Sequence, residues 1–242
     1  EELFEHKPFA VIADALARAG IATLRYDDRT FSGYAGNINN CTTEDFKNDA
    51  LAGINLLRKR FDKVGVIGHS EGGTIALMLA AEKNADFIVS LAGMVVSGAE
   101  TLVSQNRIAL ADAGIEADGI ENYCDALMEV FMANVNGDSM PNIENHDLPL
   151  ALKQNLRAVQ HQIQMPYMKH FLALDMRPLL SRITCPVLAL NGTKDIQVEH
   201  GTNLSALRNG LPANEKNSIE SIDGVNHLFQ HCNTGAVSEY RE

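Results

Sequence analysis

A short apolar run, Lys63 to Gly68, breaks into Gly68-His69-Ser70-Glu71-Gly72-Gly73 and passes directly into an Ala- and Leu-rich stretch from Thr74 to Ala81. The first run has the length and composition of a buried strand, the second those of a helix. A strand, a sharp turn and a helix in immediate succession require a layered fold, in which the helix packs back onto the sheet it has just left. The rest of the chain repeats the alternation. Pro8 opens a helix with Ile12, Ala15, Leu16 and Ala19 on one face and Gly20 to close it, and Ile21 to Tyr26 reads as the strand that follows. Thr42 or Thr43 caps a further helix, with Glu44 and Asp45 in its first turn and Phe46, Ala50, Ile54 and Leu57 as its buried stripe. Phe87 to Leu91, Pro186 to Leu190 and the short Ser218 to Ile222 supply more strands. The fold class this order predicts is α/β, a mostly parallel sheet with helices on both faces.

From Gly98 to Arg182 the strand signal is replaced by helical periodicity. Ile120, Tyr123, Cys124, Leu127, Met128 and Phe131 fall on one helix face, and Leu152, Leu156, Val159 and Ile163 on another. The strand pattern resumes only after this stretch. Residues 98–182 are therefore expected to form a helical cap inserted into a core made of residues 1–97 and 183–242.

Composition narrows the partners. Twenty Lys and Arg against 31 Asp and Glu give a net charge of −11, which repels phosphate backbones and anionic lipid surfaces, so nucleic acid is not an expected partner. Hydrophobic residues at 45% permit a sizeable core. No apolar run is long enough to span a membrane, and the first residues lack a basic start followed by an apolar stretch, so a soluble protein without a signal peptide in this sequence is expected. Cys41, Cys124, Cys185 and Cys232 are scattered with no spacing that suits zinc, and neither a metal nor a cofactor is expected. Cys185, before Pro186, reads as a small buried hydrophobe; Cys41 and Cys232 lie in loop-like sequence and are compatible with either a disulfide or free thiols. Oligomeric state is not legible.

Gly68-His69-Ser70-Glu71-Gly72 fits G-x-S-x-G, the nucleophile elbow, in which glycines flanking the serine relieve crowding at a strained turn. A serine hydroxyl is a weak nucleophile and needs a base within hydrogen-bond reach, itself oriented by a carboxylate. Asp195 follows a strand by the turn Asn191-Gly192-Thr193-Lys194, and His227 follows the last strand in Asp223-Gly224-Val225-Asn226-His227. Ser70, Asp195 and His227 thus occur in the chain order this elbow requires, in loops at the carboxyl edge of the sheet. Asp223 competes as the acid, although its place before Gly224 suits a turn, and His231 competes as the base. His69 reads as a packing or loop-fixing residue, since chain neighbours at a tight turn point apart.

Four runs carry a family resemblance: the elbow, Leu-Arg-Tyr-Asp-Asp-Arg at 24–29, Leu-Ala-Leu-Asn-Gly-x-x-Asp at 188–195 and Gly-x-Asn-His at 224–227, joined by Pro166-Tyr167 through Phe171. Together they resemble bacterial α/β-hydrolases, in particular a capped serine esterase group related to the prolyl-oligopeptidase-like and cinnamoyl-esterase-like hydrolases. The resemblance implies the α/β-hydrolase fold, Ser70 as nucleophile, Asp195 as acid, His227 as base, and the backbone amide of Glu71 as one oxyanion donor. It further implies that a second donor lies on a strand and loop before Glu1, and that the sequence is trimmed at both ends. After Arg29 relatives carry a glycine-rich turn where this chain has Thr30-Phe31-Ser32-Gly33-Tyr34, a loop expected to border the site. The expected reaction is hydrolysis of a small-molecule carboxylic ester, of short acyl or compact aromatic acids, through an acyl-enzyme. A peptidase or thioesterase with the same triad, or a binding module that kept the fold, are the alternatives. Met165, Tyr167, Met168 and Phe171, closely spaced in the last helix-like part of the insertion, are expected to line the substrate pocket or else to pack the cap onto the core.

Overall fold

A computed structural model describes residues 4–29, 33–34 and 36–241. Among the described residues four strands, β1 (Val66–His69), β2 (Ile88–Leu91), β3 (Val187–Gly192) and β4 (Ser218–Ile222), form one sheet in the order β1-β2-β3-β4, with every neighbouring pair parallel. The register sets His69 beside Leu91, Leu91 beside Leu190, and Gly192 beside Ile222. The loops after β1, β3 and β4 consequently leave from one edge, and these are the loops that hold Ser70, Asp195 and His227.

Helices α1 (Pro8–Arg18), α2 (Thr43–Leu57), α3 (Glu71–Ala81) and α8 (His200–Gly210) accompany the sheet. α3 is apolar on all sides, and residues 73–81 are all buried, as a helix without a polar face has to be. Its Ala76, Leu77 and Ala80 pack with Ile88 of β2, Val187 and Ala189 of β3, and Leu204 and Leu207 of α8. Ile75 and Leu79 meet Ile54 of α2, with Phe46, Ala50 and Leu57 beside it, the stripe read from the sequence. Thr42 caps α2 in a reciprocal box with Asp45. Arg29 braces the same helix, setting Nε and Nη2 against Asp49 Oδ2 and Oδ1 at 2.6 and 2.9 Å.

Between β2 and β3 the chain runs through α4 (Gly98–Asp112), α5 (Ala117–Asn136), α6 (Leu150–Gln162) and α7 (Pro166–Ala173). These helices share a core of their own, in which Tyr123, Cys124, Leu127, Val130, Phe131, Leu156 and Leu172 are buried. Ser97 caps α4 with Glu100 returning to its backbone, so the departure from the sheet is a defined helix start. Among the described residues, no helix is long and apolar enough to cross a membrane.

One expected element is not formed. Ile21 to Tyr26 makes no ladder, and Ile21, Leu24 and Tyr26 are exposed. Strand composition is realised only against a partner that supplies N–H and C=O groups, and this segment lies across a groove from β1 instead of beside it. The groove encloses a cavity of about 590 Å³, walled by Ile21 to Arg25 on one side, Val64, Gly65 and Ile67 on the other, and Ile12 and Leu16 of α1. The apolar face of α1 looks into it, which is why α1 has an amphipathic sequence yet no buried residue. All four cysteines are thiols: Cys41 and Cys124 are buried, and Cys185 and Cys232 are half-buried. Of the loop after Arg29, Thr30, Phe31 and Ser32 lie outside the described residues, and Tyr34 stacks under the Arg29 guanidinium at 5.0 Å.

Candidate active site

The elbow is built by backbone geometry. Ser70 has φ 55° and ψ −122°, a conformation that costs a non-glycine residue of order 1–3 kcal/mol and persists only where its surroundings impose it. Here the Ser70 amide donates to Leu91 O at 2.8 Å, and the Ser70 carbonyl accepts from the amides of Gly73 and Thr74 as α3 begins. The amides of Glu71 and Gly72 are left as open donors of that first turn, at the positive end of the helix.

The glycine argument from the sequence needs correcting on one side. A Cβ at Gly68 would fall 1.9 Å from the carbonyl oxygen of Gly72, whereas a Cβ at Gly72 meets nothing within 4 Å. Crowding is relieved at Gly68, and Gly72 contributes its carbonyl to that crowding but has room of its own. We expect Gly68→Ala to lose at least about 3 kcal/mol of stability, since backbone must move. Gly72→Ala, in a helix turn at ordinary φ, should gain about 0.5 kcal/mol. Urea midpoints at unchanged m-value read both, and equal midpoints for the two variants would contradict the geometry.

Asp195 and His227, 32 residues apart, meet at 2.8 Å between Oδ2 and Nδ1. Both are buried, at 4% exposure each. The other Asp195 oxygen, Oδ1, accepts from the amides of Gln197 and Val198 at 2.8 and 2.9 Å, so the carboxylate is fixed at both ends. The loop that carries His227 is shaped by Asn226, fully buried, whose Oδ1 accepts from the amides of Leu228 and Gln230. The two competitors lie elsewhere: Asp223 accepts from Thr193 Oγ1 at the surface, and His231 is exposed in an isolated bridge to Val225.

His69 ties the elbow to the histidine loop. Its Nε2 lies 2.7 Å from the carbonyl oxygen of His227, and a carbonyl only accepts, so Nε2 carries the proton. The two imidazoles pack at 4.6 Å between centroids. Burial, and then the His227 ring, hold the His69 imidazole below its usual range and favour the neutral ring. Ser70 therefore sits one residue from a group in contact with His227, although no hydrogen bond joins Ser70 Oγ to the His227 ring in this structure. Such bonds are commonly open in unliganded sites and close with substrate.

Of the four residues expected at a pocket, Tyr167 reaches the elbow: its hydroxyl donates to Glu71 Oε2 at 3.0 Å, and Phe171 stacks on its ring at 5.9 Å. Met168 packs instead into the core of the inserted helices, and Met165 is 45% exposed at the start of α7. The large cavity described above involves none of them. The contacts made by His69 and the Glu71 side chain were not read from the sequence, which gives no local signal for pairings across such distances along the chain. Among the described residues, no three His, Cys, Asp or Glu side chains converge as a metal site.

An elbow followed in chain order by a buried acid–histidine pair, on one edge of a parallel sheet, can be compared directly with known proteins. The family described as serine aminopeptidase, S33, matches residues 5–231. The chain belongs to this family. It is 26% identical over 231 residues to esterase EstD of Thermotoga maritima, an alignment covering 95% of this chain and 51% of EstD, so the chain spans about half of that relative's length. Solved structures share its fold. Est1E of Butyrivibrio proteoclasticus, bound to ferulic acid, superposes with a TM-score of 0.53 at 18% identity, over 94% of this chain and 77% of its own. A structure from work on carboxylesterases of Nitrososphaera gargenis gives 0.54 at 17% identity, over 91% and 78%. The architecture is the α/β-hydrolase fold.

Proposed function

We propose that this S33-family protein hydrolyses carboxylic esters of short acyl or compact aromatic acids through an acyl-enzyme on Ser70. The observation that carries this reading is the buried Asp195–His227 pair, held against the elbow by His69. With Asp195 on Nδ1, the Nε2 of His227 is the free base; it takes the Ser70 proton as Oγ adds to the ester carbonyl. The Glu71 amide, open at the head of α3, stabilises the oxyanion. The same proton then passes to the leaving alkoxide, and water repeats the sequence to release the acid. Residues 98–182 act as a cap: α7 reaches the elbow through Tyr167, so the acyl group enters a roofed space instead of an open lipid interface.

The family description favours aminopeptidase chemistry as a second reading. Recognition of a free amino terminus needs an available anion near the nucleophile, and the nearest along the chain, Glu71, already accepts from Thr43 and Tyr167. Esters are accordingly the reading we favour, in line with the name of EstD and the ferulic acid bound to Est1E. The full-length protein should hydrolyse nitrophenyl acetate, butyrate and methyl ferulate in preference to emulsified long-chain triglycerides. Faster cleavage of aminoacyl nitroanilides than of the matching aminoacyl esters would turn the assignment to a peptidase.

A further inference from the structure

The Glu71 side chain joins the elbow to two other elements. Oε1 accepts from Thr43 Oγ1 at 2.6 Å, at the head of α2, and Oε2 accepts from the Tyr167 phenol at 3.0 Å, in the first turn of α7. Thr43 is fully buried, so its hydroxyl has to be satisfied within the protein. Burial, and then the carboxylate, push the Tyr167 phenol well above its usual range, which keeps it a donor. The far end of α7 is anchored separately, by the Gly98 amide donating to Leu174 O at 3.1 Å. The near end, which reaches the elbow through Tyr167, begins at Met165, which is 45% exposed.

We propose that Glu71 is a positioning residue whose carboxylate latches the first turn of α7 to the elbow through Tyr167, and that this latch sets the size of acyl group admitted to Ser70. The proposal rests on the ester-hydrolysis reading above. A phenol-to-carboxylate bond is among the stronger kinds of hydrogen bond, and here it is made beside the residue expected to be acylated. With the latch closed, the Tyr167 ring and the Phe171 ring stacked on it are held beside the elbow. Without it, the first turn of α7 keeps its Met168 packing but loses its bond to the elbow, and longer chains gain room.

The test uses the full-length protein and three variants, Tyr167→Phe, Glu71→Ala and Glu71→Gln, with nitrophenyl esters from acetate to decanoate. Tyr167→Phe and Glu71→Ala should raise the octanoate-to-acetate ratio of kcat/KM about tenfold, mainly through KM, and speed exchange of the Lys169 amide, which bonds to Met165 O across the first turn of α7. Glu71→Gln keeps an acceptor oxygen for the phenol and an amide for the Thr43 oxygen, and should restore the wild-type ratio. A ratio within about twofold of wild type in Tyr167→Phe, with exchange unchanged, overturns the latch. Should Glu71→Ala fail to fold, Tyr167→Phe decides, because it removes one oxygen atom. A small fluorophosphonate separates the two layers. If wild type takes no label, the ester reading has failed, and the latch then stands or falls on the exchange of α7 in Tyr167→Phe alone.

Discussion

Ser70→Ala should lower ester turnover by at least about 10⁴-fold and abolish covalent labelling by a fluorophosphonate, while leaving the fold intact. The size of the loss follows from what the hydroxyl does in the proposed reaction. Without it His227 has no nucleophile to activate except water, and only the oxyanion donor and binding contribute to the rate. Structural damage is not an alternative explanation for such a loss. Ser70 holds its unusual backbone through main-chain bonds, the amide to Leu91 O and the carbonyl from Gly73 and Thr74, and alanine keeps all of them. The Ser70 hydroxyl caps no amide of α3. The measurement is turnover of nitrophenyl acetate beside intact-mass labelling and a melting curve. Near-normal turnover in Ser70→Ala would remove Ser70 from the mechanism.

Asp195→Asn has the next largest expected effect, about 10⁴-fold on kcat with little change in stability. The direction follows from the two ends of the carboxylate. Oδ1 accepts from two amides, those of Gln197 and Val198, and an amide nitrogen placed there would face two donors. The asparagine must therefore keep its oxygen on that side and turn its NH₂ toward His227 Nδ1. That nitrogen then has to accept, the proton moves to Nε2, and the ring presents a donor where the Ser70 proton needs an acceptor. Asp223→Asn is the control: its carboxylate accepts from the Thr193 hydroxyl at the surface, and kcat should change by less than about threefold. Comparable losses in both variants, or a loss in Asp223→Asn alone, would show that the wrong carboxylate has been paired with the base.

The elbow and the two later loops were legible because each is a local pattern. An apolar run that ends in Gly68 and restarts at Thr74 defines a strand, a turn and a helix without reference to anything distant, and β1 and α3 form there. Ser218 to Ile222, a short expected strand, is β4 at those bounds. The stripe from Ile120 to Phe131 became the buried face of α5, since helical spacing is a property of the chain itself. The strand expected at Ile21 to Tyr26 failed for the opposite reason. Its residues have strand preferences, but pairing depends on a neighbouring edge, and composition says nothing about whether that edge is within reach.

Among the candidate site residues the same division holds. Asp195 and His227 were placed by chain order; that they meet, and that Asp223 and His231 face elsewhere, follows from the parallel register of β3 and β4 and the turns beyond them. Tyr167 was singled out as a pocket aromatic, yet its hydroxyl is a partner of Glu71, 96 residues away, and His69 reaches the carbonyl of a residue 158 positions along. Chain periodicity and turn chemistry are short-range and act within a few residues, so the sequence alone determined which elements form, their order, and the loops on which an acid, a base and a nucleophile ride. Side-chain pairing across the site depends on how those elements pack, a many-body matter of volume, burial and hydrogen-bond satisfaction. Only the tertiary structure decided which carboxylate holds the histidine, which glycine the elbow cannot lose, and which helix rests on Glu71.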